Sequence, residues 1–128
     1  MSEEPREYDR EYRRSVPGPL RIRVGFDRSE NEVERFVVQL EYQHDNAWHP
    51  VVRYDHDGTG HSEAAHDITE EGLHIDIYRH GEKHATEYIA RVGDGAEGLN
   101  RAEEHLTSNL HDLSIGTNDG TGSKTNDR

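Results

Sequence analysis

The feature that most restricts what this chain can become is a two-residue period that recurs along it. Leu20-Arg-Ile-Arg-Val-Gly-Phe26 alternates strictly, with Leu20, Ile22, Val24 and Phe26 on one side and Arg21 and Arg23 on the other. Such a pattern suits a strand with one buried face and cannot give a helix an apolar stripe. The same period returns in Val33–His44, where Phe36, Val38, Leu40 and Tyr42 fall together, in Trp48–His56, and in Leu73–Tyr78. Glu87–Val92 repeats it weakly and is read as a fifth strand. Hydrophilic breaks at Asp27–Glu32, Asp45–Ala47 and Arg79–Glu82 are short enough for hairpins. The period changes once. Leu99, Ala102, Leu106, Leu110 and Leu113 step by 3, 4, 4 and 3, which is one helical stripe. Asp94 or Asn100 is placed to cap its start, and Gly116 follows its end. The expected fold is α+β: an antiparallel meander of about five strands packed by one C-terminal helix.

The pattern also sets the domain limits. Residues 20–115 are expected to form a single domain, between an Arg- and Tyr-containing tail over 1–19 and a polar tail over 116–128 expected to be disordered. Tyr8, Tyr12 and Val16 are spaced as on a helix, but Pro17-Gly18-Pro19 would stop any helix there, so a mobile tail is expected. Residues 5–28 hold seven arginines against four acids, a local excess of basic charge. With the tyrosines they form a candidate nucleic-acid surface; the plainer expectation is pairing with the protein's own carboxylates.

Charge narrows the class. The net charge is −12, and 13 Arg stand beside only two Lys. This balance is similar to that of proteins from salt-accumulating haloarchaea, where carboxylates keep a surface hydrated under strong screening. The acidity then describes the solvent, not a partner. With no Cys, disulfides, thiolate metal sites and cysteine nucleophiles are excluded. No apolar run approaches the ~18 residues of a membrane helix, and the N-terminus lacks an apolar leader, so a soluble cytoplasmic protein is expected.

Candidate chemistry gathers in Val51–Tyr78. Eight of the ten histidines lie between His44 and His84, and His56, His61, His66 and His74 interleave there with Asp55, Asp57, Asp67 and Asp76. The loop Asp57–Gly72 is long for a compact domain, as functional loops often are; Ser62–His66 could add a helical turn. Folding it back would bring His56 and His74 together with His66 or Asp76, a donor set suited to zinc or manganese. The spacing matches no established ligand motif. General acid–base chemistry is the second reading. His74 and Asp76 share a strand face, whereas Asp55 and His56 point oppositely and cannot orient one another. Arg53 or Arg79 would supply a cation for a phosphate, and Tyr54 or Tyr78 a hydroxyl. The candidate site is Arg53, Asp55, His66, His74 and Asp76. No phosphate-binding glycine loop, nucleophile elbow or basic groove-reading helix is present.

The segment WHPVVRYDHDGTGHSEAAHD, followed by GLHIDIYRHGEKH, resembles a small haloarchaeal domain family of unknown function. More distantly it is similar to TumE-type toxins of toxin–antitoxin pairs, through an R-Y-D strand end, a histidine-containing loop and a C-terminal helix. In those toxins the histidines are closer together. The resemblance covers Trp48 to about His84 and implies roles for Arg53, Tyr54, Asp55, His66 and His74. It implies a toxin-like protein acting on RNA and partnered by an antitoxin. A non-catalytic protein-interaction or structural module, using a sheet edge or Tyr8 and Tyr12, and a His-rich metal-binding domain stand as alternatives.

Overall fold

A computed structural model describes residues 8–59 and 66–114. The expected C-terminal tail, Gly116, His61 and most of the Ser62–His66 turn lie outside the described residues. The elements are β1 (Arg10–Val16), β2 (Leu20–Ser29), β3 (Glu32–His44), β4 (Ala47–Asp57), α1 (Ile68–Glu71), β5 (Leu73–Arg79), β6 (Glu82–Ala90), α2 (Gly95–Ser108) and α3 (Leu110–Ser114). The strands make one antiparallel sheet in sequence order, β1 to β6.

The sheet therefore has six strands, not five. The additional one is β1, in the stretch expected to be a tail. Its burial is low along its length, so it offers no amphipathic signal. It forms because Pro17-Gly18-Pro19, with Gly18 at φ 88, turns the chain back and registers Arg10 to Val16 against Phe26 to Leu20. The same triplet that would stop a helix makes a hairpin.

The other hairpins use tight turns with positive φ. Asp45 and Asn46 at φ 56 and 64, and His80 and Gly81 at φ 54 and 82, give the paired left-handed residues whose twist matches that of flanking strands. Asn and Asp tolerate this conformation because their short polar side chains bond locally. His80 is the less usual occupant.

The two sheet faces differ. On one, Ile22, Val24, Phe36, Val38, Leu40, Val52, Tyr54, Leu73 and Ile75 are buried with Ile68, Ala102 and Leu106 from the helices. Asp94 caps α2, its carboxylate accepting from the Glu97 amide at 2.8 Å, while Glu97 accepts from the Gly93 amide at 2.8 Å. Of the two expected caps, Asp94 serves. The apolar stripe is broken between Ser108 and Leu110, where Asn109 closes α2 by bonding back to His105 and Leu106; the expected single helix is thus α2 plus the short α3. A side chain at Gly98 would collide with Ile68 and one at Gly95 with the Val33 carbonyl, so these glycines set how closely α2 approaches the sheet.

The opposite face carries the arginines. Arg21 donates to Glu41 at 2.6 Å, Gln39 to the other Glu41 oxygen at 2.6 Å, and Arg53 to Gln39 at 3.3 Å and Asp55 at 2.9 Å. Glu11 lies within ion-pair reach of Arg13 and Arg23. The basic N-terminal excess is, for these residues, paired with the protein's own acids. Tyr8 is buried at 6 % exposure, with Arg35 stacked 4.5 Å over its ring; Tyr12, on the helix-covered side beside Val24, donates its hydroxyl to Glu103 of α2 at 2.7 Å.

Candidate functional site

The site follows from a defect in the sheet. β3 pairs with β2 and with β4 along nearly its whole length. β4 and β5 pair only through Val52 with Ile77 and Arg53 with Asp76. Past that rung the two strands part. The connection between them turns back into the opening: the Asp57 amide donates to the His66 carbonyl at 2.8 Å, and α1 follows. A cleft of about 140 Å³ lies in this fork, lined by Asp55, His66, Ile68, Glu71, His74, Asp76, Lys83 and Thr86.

Four of the five residues singled out from sequence, Asp55, His66, His74 and Asp76, therefore line one cleft. Arg53, the fifth, sits behind it and holds Asp55. Its guanidinium is engaged by Asp55 and Gln39. Sequence reasoning missed Lys83, Glu71 and Thr86. Lys83 was legible only as one of two lysines in the chain; the β5–β6 register, which sets Tyr78 opposite Lys83 and Asp76 opposite Thr86, is what brings it in.

The side chains are held in defined states. His74 Nδ1 lies 2.9 Å from the Gly72 carbonyl. A carbonyl only accepts, so Nδ1 carries the proton, and a neutral ring keeps its lone pair on Nε2. His66 Nδ1 is 3.2 Å from Glu71 Oε1, again leaving Nε2 as the second ring nitrogen. Asp76, 9 % exposed, accepts from Thr86 at 2.7 Å and is 3.6 Å from Lys83 Nζ. Each carboxylate thus has a basic neighbour: Asp55 has Arg53, Asp76 has Lys83, and Glu71 has His66. Local charge is nearly balanced despite the acidity of the chain.

Other candidates fall elsewhere. His56 faces the helix-covered side, ring to ring with Phe36 at 5.6 Å, and its Nδ1 accepts from the Ile68 amide at 3.2 Å. It does not join His74. Burial holds its imidazole below the usual histidine range, against the opposing pull of Asp67 and Asp57. Tyr54 is also on that side, fully buried, 2.7 Å from His105 Nδ1, and cannot act in the fork; burial pushes its hydroxyl up. Among the described residues no group of three or more His, Asp or Glu is arranged to hold a metal ion.

A larger cleft of about 350 Å³ lies between the β2–β3 turn and the start of α2, lined in part by Glu32, His56, Asp67 and Asp94. Three of its polar side chains are engaged in capping and docking the helices. Asp94 caps α2, Asp67 caps α1 by accepting from the Thr69 amide at 3.0 Å, and His56 is held as described. Among the described residues no helix is long and apolar enough to cross a membrane.

No curated protein and no solved structure matches this chain. A family model does match, over residues 3–115, spanning the sheet, the fork and α2. Its description is a domain of unknown function, in keeping with the expectation of an uncharacterised family. The chain belongs to that family, Domain of unknown function (DUF7718).

Proposed function

We propose that the fork between β4 and β5 is the active site of a toxin-like protein that cleaves RNA by His/Asp acid–base chemistry. The observation that carries this reading is the convergence of Asp55, His66, His74 and Asp76 on one cleft, from residues up to 21 positions apart in sequence. His74 Nε2 takes the proton from a ribose 2′-hydroxyl. The 2′-oxygen bonds to phosphorus, the P–O5′ bond breaks, and His66 gives a proton to the departing 5′-oxygen. The products are a 2′,3′-cyclic phosphate and a 5′-hydroxyl. Lys83 offsets charge on the phosphate oxygens, Asp76 orients Lys83, and Arg53 fixes Asp55 at the wall.

A toxin-like activity implies an antitoxin as partner, and the acidic, Lys-poor surface fits a salt-rich cytoplasm of haloarchaeal type. The test is induced expression of the chain beside His74→Ala, followed by mapping of RNA ends. Growth arrest and 2′,3′-cyclic phosphate ends from the wild-type protein alone are expected. Equal growth and identical RNA ends in both would overturn the reading.

A further inference from the structure

Tyr88 is the most exposed large hydrophobic residue among those described, 60 % open. A tyrosine left this far in solvent is ordinarily mobile, and this one is held. It stands directly opposite His74 in the β5–β6 register, with the two rings edge to face at 78° and centroids 5.5 Å apart. Its other support is Gly72, at φ 87, where any side-chain carbon would collide with the Tyr88 ring. Gly72 also supplies the carbonyl that fixes the tautomer of His74. One glycine therefore seats the aromatic ring and orients the imidazole.

Tyr88 lies two residues along the strand from Thr86, a wall of the cleft, and on the same side of the sheet. An exposed ring can stack on any nucleobase, because every base has a π face. The Tyr88 and His74 rings lie 5.5 Å apart, centroid to centroid, so a base stacked on Tyr88 carries its own ribose next to His74. The β5–β6 register thereby sets an aromatic face beside the imidazole. We propose that Tyr88 is the platform on which an unpaired base of single-stranded RNA stacks, presenting its ribose to His74. This rests on the RNA reading of the same cleft and narrows it to unpaired substrate, since a base inside a duplex has no free face to offer.

The test uses the full chain, a labelled mixed-sequence single-stranded ribooligonucleotide and its duplex, in molar potassium chloride, where phosphate contacts are screened and stacking persists. Binding is read by fluorescence anisotropy and cleavage by initial rates. Tyr88→Ala should weaken single-strand binding, and raise KM, by roughly five- to a hundredfold, with kcat little changed. Tyr88→Phe and Tyr88→Trp should restore most of it, and the duplex should bind weakly to all four proteins. Unchanged binding by Tyr88→Ala, a loss that neither aromatic variant rescues, or no single-strand binding by the wild type would each overturn the proposal. The two readings fail separately. Tyr88-dependent binding without cleavage would sink the acid–base chemistry and leave the platform; cleavage indifferent to Tyr88 would do the reverse.

Discussion

His56 and His74 occupy neighbouring strands, β4 and β5, yet they live on opposite faces of one sheet. His56 is 5 % exposed, packed on Phe36 and bonded to the backbone of α1. His74 is half-buried at the rim of the fork, with one ring nitrogen tied to Gly72 and the other left as an acceptor. The difference teaches that residue type says little about role here. A histidine sealed into the helix-covered face completes the docking of α1. A histidine placed on the other face lines the fork, where the proposed function gives it the proton transfer.

The comparison breaks most sharply by exchanging what each histidine loses. On the proposed function, His74→Ala should lower RNA cleavage by about 10²- to 10⁴-fold, while the lost bond to Gly72 and the lost contact with Tyr88 should cost only about 1–2 kcal/mol of stability; rates and urea denaturation measure the two together. A large fall in stability without loss of rate would show that the roles are reversed. Leu106→Ala, under the covered face, should do the opposite. It removes a fully buried side chain and should cost about 2–5 kcal/mol, while the folded fraction keeps its cleavage rate.

A smaller effect tests His56 by pH. Burial lowers its folded-state affinity for a proton below the ordinary value of 6.5, and burial acts likewise on His105. The unfolded chain then binds more protons than the folded one just below pH 6.5, so stability is full above that pH and is lost as pH falls through the folded-state values. Asp57 and Asp67, held below the ordinary value of 3.8, add a separate loss only under that pH. His56→Gln should flatten the slope of the denaturation midpoint between pH 6.5 and 5; an unchanged slope would remove His56 from the account. Smallest is Asp94→Ala, which leaves the Glu97 amide uncapped and should cost about 1 kcal/mol, read as a modest fall in thermal midpoint with no change at the fork.

The hairpins were legible in sequence because their signals are local. Leu20–Phe26, Val33–His44 and Leu73–Tyr78 announce a face by alternation, and each is joined by a turn of a few polar residues. β1 was not legible. Arg10–Val16 has no buried face to advertise, and its strand exists through main-chain pairing with β2, which depends on a neighbour and not on its own pattern. The helical stripe was legible, but its interruption at Asn109 was not, since spacing alone does not show where a cap bonds back.

The candidate site divides the same way. His74 and Asp76 are two apart in a strand, so their shared face follows from chain geometry alone. The sequence by itself determined the alternation, the polar turns, two candidate caps for α2 and that pair; the structure chose Asp94 as the cap. Only the tertiary structure decided that β4 and β5 part after one rung beyond Val52, that α1 enters the opening, and that Asp55, His66 and Lys83 meet there while His56 is sealed on the far side. The physical reason is range. Alternation and turns are fixed by neighbours a few residues apart, whereas the fork depends on where a long connection folds back, and that is settled by burial of Ile68 and α2 against the sheet.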